Sequence, residues 1–139
     1  MARILITEDE QLIAEDLRLT LIDMGHDVIC MEASGEEAVI SAIEVQPDII
    51  FMDIKLAGSI SGIEAAKMIR KKIDVSIIFC SAYGDDKTLL QASSLNPIGY
   101  IMKPFDQSEI ESLLTKYKSE KKKIPLLSLS FSDNNCLNY

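Results

Sequence analysis

This 139-residue sequence has few cysteines and no long apolar run. The three cysteines, Cys30, Cys80 and Cys136, are odd in number and lack Cys-x-x-Cys spacing, so neither a disulfide framework nor a zinc site is expected. Cys30 and Cys80 lie in apolar runs, where we expect them to be buried and reduced. No apolar run approaches the ~18 residues that a membrane span needs. Met-Ala-Arg followed directly by a strand-like run is not a signal peptide, so a cytoplasmic location is expected.

Basic residues are scarce in most of the chain. Residues 1–115 hold 20 acidic and 9 basic side chains, a net charge of −11, whereas residues 116–139 carry +3. An acidic body repels the phosphate backbone of nucleic acids, so binding of nucleic acid by the globular part is not expected.

Length and composition predict one globular domain. The chain is 47% hydrophobic and 26% charged, as in ordinary globular proteins, and is long enough to bury a core. The pattern of alternating elements ends near residue 117, and the roughly twenty residues that follow cannot form a second core. We therefore predict a domain over residues 1–120 with an extended last helix, a flexible or loosely docked tail over 121–139, and no second folded domain.

Five short apolar runs alternate with five segments of helical periodicity. The runs cover residues 4–7, 28–31, 49–53, 75–80 and 98–102. Ser34 with Glu37, and Asp106 with Glu109, have the spacing of helix caps. The fourth helix, over about 85–95, has the weakest apolar face, which consists of Leu89, Leu90 and Ala92. Such alternation predicts an α/β fold, with right-handed crossovers and a doubly wound parallel sheet covered on both faces.

Polar residues follow four of the five predicted strands. Glu8 and Asp9 come after the first, Asp53 ends the third, and Ser81 and Lys103 follow the fourth and fifth. In a doubly wound sheet these carboxyl ends line one crevice. Carboxylates held close together repel one another unless a cation joins them, and hard oxygen ligands suit Mg²⁺.

Asp53 is also a candidate nucleophile. A carboxylate can accept a phosphoryl group, and the charge that develops in the transfer is stabilised by a metal ion and a lysine ammonium. Lys103 and the Ser81 hydroxyl are available for this purpose. Each residue alone has the plain interpretation of a solvated loop residue, and only their joint arrangement favours a site.

Four segments together resemble a known family. ILITEDE, IIFMDIK, IIFCSAY and YIMKPF, in this order and spacing, are similar to the receiver domain of two-component response regulators. The resemblance covers residues 2 to about 117 and implies a flavodoxin-like (βα)5 fold. It implies a phosphoacceptor switch that takes a phosphoryl group from a sensor histidine kinase or phosphotransfer protein. It further implies a regulatory protein, with self-phosphorylation and autodephosphorylation as its only chemistry.

The resemblance assigns a role to each of these residues. Asp53 is the phosphoacceptor, and Mg²⁺ is bound by Asp9, Asp53 and the backbone carbonyl of Lys55, with Glu8 acting directly or through water. Ser81 and Lys103 contact the phosphoryl group. The roles stay implied by the family, because spacing alone does not give them.

The resemblance also implies a switch. Tyr100 matches an aromatic position that swings inward as the Ser81 hydroxyl moves to the phosphoryl group, and the Lys103–Pro104 peptide is expected to be cis. The output face is then the fourth helix, fifth strand and fifth helix, which contacts a downstream protein or a second copy of the chain. Lys55 and Tyr83 occupy positions that tune the lifetime of the phosphoryl group.

Two departures from the family pattern stand out. Glu8 replaces the more usual Asp, which makes direct metal ligation by it less certain. The loop 54–62, IKLAGSISG, lacks a common proline and is one residue longer. The chain fits either a stand-alone receiver of the chemotaxis-regulator kind or a fragment of a longer regulator.

Other interpretations remain open at the sequence level. A phosphatase of the haloacid dehalogenase type also places an Asp after a strand, but its second Asp would fall at Lys55. A flavodoxin-like cofactor binder would need a phosphate loop where the acidic residues 8–10 stand. A pseudo-receiver would keep the fold without phosphorylation. Tyr100 also has the interpretation of a core aromatic, and Pro104 that of a trans proline ending its strand.

Overall fold

A computed structural model of the chain describes residues 1–82 and 86–136, without the side chains of residues 86 and 122–136. Tyr83 and most of the predicted tail, 121–139, therefore lie outside the described side chains. Within the described residues, no helix combines the length and the apolar character that crossing a membrane requires.

The described chain forms one parallel sheet of five strands, which confirms the predicted fold class. Strands and helices alternate, and the strand order across the sheet is β2-β1-β3-β4-β5. The strands are β1 (Arg3–Thr7), β2 (Asp27–Glu32), β3 (Ile49–Asp53), β4 (Ser76–Ser81) and β5 (Gly99–Met102). The helices are α1 (Gln11–Asp23), α2 (Gly35–Val45), α3 (Gly62–Arg70), α4 (Asp86–Ser93) and α5 (Gln107–Cys136).

The helices cover both faces of the sheet. Leu17 of α1 and Ile110 of α5 pack with Phe51 on one face, whereas α2, α3 and α4 pack on the other face around Met52. Every residue of β3 is buried because this strand lies in the middle of the sheet. A continuous apolar run, without polar alternation, is the sequence pattern of such a strand.

Two details differ from the sequence-based expectations. Leu90 was expected on the apolar face of α4 but is 75% exposed. Leu89 and Ala92 occupy the side of α4 that faces the sheet, and Leu90 lies about 100° from Leu89 around the helix axis. Cys80 is buried as expected, but Cys30 is only half-buried; both are free thiols.

Helix α2 begins at the predicted cap, Ser34, and α3 begins at a cap that was not predicted. Ser34 accepts the Glu37 N–H at 3.2 Å, while the Glu37 carboxylate accepts the Ser34 hydroxyl instead of closing a full capping box. A complete capping box occurs at α3, where Ser61 and Glu64 exchange both bonds. This cap fixes the point at which the chain leaves the loop after β3 and enters α3.

The strand order places a crevice beside β3. Strands β1 and β3 are neighbours, and the chain leaves them toward opposite faces, so their carboxyl ends flank the switch point at which ligands bind in open α/β sheets. Asp53 pairs in register with Cys80, and Ser81 pairs with Met102. Residues that follow β1, β3, β4 and β5 therefore meet at one edge.

Candidate acidic site at the carboxyl edge of the sheet

Three carboxylates converge at this edge, as the strand-end pattern predicts. Oxygen atoms from Glu8, Asp9 and Asp53 all lie within 4.8 Å of one another. Glu8 and Asp53 are buried, at 6% and 4% exposure, whereas Asp9 is open to solvent. The site therefore has two buried acids and one accessible acid at its mouth.

Lys103 links the two buried carboxylates. Its Nζ donates to Asp53 Oδ2 at 2.7 Å and forms an ion pair with Glu8 Oε1. The Lys103 N–H also donates to the Ser81 carbonyl at 2.8 Å, which fixes the start of the loop after β5. The Lys103–Pro104 peptide is cis, as the resemblance implied.

Burial dominates the electrostatics of both acids. Desolvation raises the pKa of Glu8 to about 7. The hydrogen bonds from Lys103 and from the Glu10 N–H lower this pKa but do not offset the effect of burial; the Glu10 N–H donates to Glu8 Oε2 at 3.0 Å. Desolvation also raises the pKa of Asp53, and the hydrogen bond from Lys103 opposes it. Desolvation lowers the Lys103 pKa, but its bonds to Asp53 and Glu8 outweigh this and leave it raised. A single ammonium thus serves two buried carboxylates.

The arrangement fits a small divalent cation. Oxygen atoms bound to one Mg²⁺ ion at about 2.1 Å lie at most about 4 Å apart, and the three carboxylates bring oxygen atoms within 4.8 Å of one another without an ion. Carboxylate oxygens are the hard ligands that Mg²⁺ takes, and exposed Asp9 leaves a route to solvent. The donor set and its spacing therefore suit Mg²⁺ better than a soft metal.

Two further predicted residues lie at the same edge. Ser81 ends β4 and is 2% exposed, one residue beyond the partner of Asp53. The Lys55 N–H donates to Asp53 Oδ1 at 3.3 Å, so the peptide after Ile54 turns back over the carboxylate. Asp53 is thus held from one side by Lys55 and from the other by Lys103.

Tyr100 lies on β5, next to the strand that carries Ser81. Its ring is stacked on Phe79 with centroids 6.3 Å apart and is 37% exposed. Desolvation raises the pKa of its phenol. Tyr100 is thus a partly exposed aromatic and not a buried core residue.

Comparison with known proteins identifies the family. The sequence profile of the response regulator receiver domain matches residues 4–115. The chain belongs to this family. Receiver domains are regulatory modules of two-component signal transduction that bind Mg²⁺ at an acidic pocket, and response regulators interact with sensor kinases and downstream targets.

Several receiver-containing proteins are similar to this chain. The sensory transduction protein LytT of Bacillus cereus is 36% identical over 123 residues, which cover 87% of this chain and 49% of LytT. The phyllosphere-induced regulator PhyR of Methylorubrum extorquens is 35% identical over 81% of this chain and 42% of PhyR. This receiver domain thus spans about half the length of these curated relatives.

A solved structure supports the same assignment. The signal receiver domain of a modulated diguanylate cyclase from Desulfovibrio desulfuricans G20 superposes with a TM-score of 0.81 and 34% identity, covering 88% of this chain and 97% of that one. That receiver domain and this chain therefore share one overall fold.

Glu36 touches the loop after Asp53, and the sequence pattern did not predict this contact. Glu36, in the first turn of α2, accepts from both the N–H and the hydroxyl of Ser59. The available signal was weak: an acid at a helix start and a Gly-Ser pair in a loop that is longer than usual. Their contact joins residues 23 apart in sequence, which no local pattern predicts.

Proposed function

We propose that this receiver domain is the phosphoacceptor switch of a histidine-to-aspartate phosphorelay and that Asp53 carries the phosphoryl group. The donor is a phosphohistidine on a sensor histidine kinase or phosphotransfer protein. The switch unit is residues 1–120, it acts in the cytoplasm through protein partners, and it turns over no other substrate.

Transfer begins at the Asp53 carboxylate. One oxygen of Asp53 attacks phosphorus, an O–P bond forms, the N–P bond of the donor histidine breaks, and the histidine keeps the electron pair. Lys103 contacts Asp53 at 2.7 Å, so its ammonium is already beside the position at which the negative charge of the phosphoryl oxygens arrives.

Glu8, Asp9, Asp53 and the Lys55 carbonyl are the groups that would hold Mg²⁺. When bound, Mg²⁺ supplies positive charge next to the transferred oxygens. Three carboxylates with one lysine leave excess negative charge at the edge in its absence, which favours cation binding over an empty site.

The output is a change at α4, β5 and α5. In the proposed switch the Ser81 hydroxyl turns to the phosphoryl group, and Tyr100 moves inward from its partly exposed position. Leu90, Tyr100 and Met102 expose apolar surface on these elements, at 75%, 37% and 45%, which suits contact with a downstream protein or a second copy of the chain.

The observation that carries the proposal is the joint position of Lys103, Asp53 and the two acids after β1 around one crevice. None of the competing interpretations uses all four. Lys55 stands where a phosphatase of the haloacid dehalogenase type would need its second Asp, and Glu8 with Asp9 would repel the phosphate of a flavin.

Acetyl phosphate tests the proposal. With Mg²⁺ present, intact-mass spectrometry is expected to show addition of one phosphoryl group, lost on chelation of the metal and absent in Asp53→Asn. Asp16→Asn, which removes an exposed acid of α1, is the matched control and should be modified like the wild type. Equal labelling of wild type and Asp53→Asn would refute the proposal.

A further inference from the structure

The loop between β3 and α3 is closed at its base beside Asp53. The Gly62 N–H donates to the Ile54 carbonyl at 2.9 Å, and the Ile54 N–H donates to the Cys80 carbonyl at 3.0 Å. Between these fixed points the chain has to leave Asp53 and return within nine residues. The direction of the Lys55 carbonyl therefore depends on where the tip of the loop is held.

The tip of the loop is held by the first turn of α2. Ala57 forms a parallel bridge with Ser34, and Glu36 Oε2 accepts the Ser59 N–H at 3.2 Å and the Ser59 hydroxyl at 3.0 Å. The Ser59 N–H is the main reason that the pKa of Glu36 is lowered. The carboxylate thus binds the loop in its ionised form.

Gly35 of α2 and Gly58 of the β3–α3 loop show how closely the helix and the loop approach each other. A Cβ on Gly35 would lie 2.8 Å from Ile60 Cγ1. A Cβ on Gly58, which has φ +108°, would lie 3.0 and 3.1 Å from the two carboxylate oxygens of Glu36. The Glu36 carboxylate therefore fills the space next to Gly58, and the loop closes around it.

We infer that Glu36 is a positioning residue for the acidic site: by holding the tip of the β3–α3 loop on α2, it fixes the Lys55 peptide beside Asp53 and so sets the affinity for Mg²⁺. The inference rests on the proposed function, because that function assigns the Lys55 carbonyl to the cation. Glu36 touches neither the cation nor the phosphoryl group and acts through Ser59 and the loop.

Titration calorimetry with MgCl₂, together with the metal-free melting temperature, tests the inference. Glu36→Ala is expected to weaken Mg²⁺ binding about tenfold, the lower range for loss of a group that orients metal ligands. Glu44→Ala removes an exposed acid from the same helix and should stay within about twofold of the wild type. Glu36→Gln keeps an oxygen acceptor for Ser59, and its Mg²⁺ affinity should lie between those of Glu36→Ala and Glu44→Ala.

A second pair of variants disturbs the same contact from the loop side. Gly58→Ala places a methyl group against the Glu36 carboxylate, whereas Gly25→Ala has a similar positive φ, +90°, with nothing within 4 Å. Both substitutions introduce backbone strain, but only Gly58→Ala should weaken Mg²⁺ binding. If Glu36→Ala does not fold, this pair decides the question alone.

The proposed metal site and the role of Glu36 can be disproved separately. A wild-type protein that binds no Mg²⁺ would overturn the metal site and this inference with it. A wild type that binds Mg²⁺, with Glu36→Ala and Gly58→Ala matching their controls, would overturn the role of Glu36 and leave the proposed function intact. A melting temperature lowered without loss of Mg²⁺ affinity would likewise show that Glu36 is only structural.

Discussion

At the scale of single residues, the site depends on charges that would be unfavourable separately. Glu8 and Asp53 are both buried, and burial of one unpaired carboxylate is costly. Lys103 contacts both, which reduces the repulsion but does not balance two negative charges with one positive charge. The remaining negative charge is the physical reason for which we expect a cation to bind at this edge.

His26 is a titratable residue outside the acidic site and lies near the opposite end of β1. His26 Nδ1 accepts the Ala2 N–H at 3.1 Å, which requires the neutral ring. Burial lowers the pKa of His26 below its ordinary value of 6.5, and the charges of the N-terminus and Lys118 lower it further. Folding therefore favours release of the His26 proton.

This gives a pH prediction. The stability contributed by neutral His26 is complete above pH 6.5, its unfolded pKa, and is lost as the pH falls through the lower folded pKa. In His26→Asn, the Asn Oδ1 can accept the Ala2 N–H and does not titrate. The melting temperature of this variant should therefore fall less than that of the wild type when the pH is lowered from about 7 to about 5. His26 is the single histidine of the chain, and parallel pH profiles for the two proteins would contradict this account.

At the scale of elements, the position of α3 is set by its first residue. A Cβ on Gly62 would lie 1.8 Å from the Asp53 carbonyl oxygen, so helix α3 begins directly against the backbone of the proposed phosphoacceptor. The capping box of Ser61 and Glu64 starts the helix at this point. A side chain at position 62 would push α3 away from the end of β3.

Gly62→Ala is therefore expected to destabilise the fold by about 3 kcal/mol or more, the upper range for overpacking, because the obstructing atom is backbone. Urea unfolding measures this. Gly25→Ala has no neighbour within 4 Å and should lose only about 1 kcal/mol from its positive φ. The explanation fails if the two variants are equally stable.

The sequence was informative about elements where a pattern is local. The apolar run of β3 and the acids at strand ends predict the sheet and its polar edge, because period and order alone place them. Exposure of Leu90 was not predictable in this way, since it depends on how a short helix rotates against the sheet. The contact of Glu36 with Ser59 depends on where helix α2 and the β3–α3 loop meet in space.

At the scale of the whole molecule, the proposed cation site couples cation binding to folding. The carboxylates come together only in the native state, so a cation that joins them stabilises that state by RT ln(1 + [L]/Kd). At ten times Kd this amounts to about 1.4 kcal/mol, or about 5 °C in melting temperature for a domain of this size.

A thermal melt with increasing MgCl₂ should show this rise in the wild type. Asp53→Asn should show little response to Mg²⁺, and its metal-free melting temperature should be higher than that of the wild type because one buried charge is removed. A wild-type melting temperature that does not change through millimolar Mg²⁺ would mean that the carboxylates do not act together.

Identification of the modified residue tests the central claim most directly. The protein is treated with acetyl phosphate and Mg²⁺, the acyl phosphate is reduced with borohydride, and the peptides are sequenced by mass spectrometry. The account predicts homoserine at position 53 and unmodified Glu8 and Asp9. Reduction at either of those acids, with Asp53 unchanged, would contradict it.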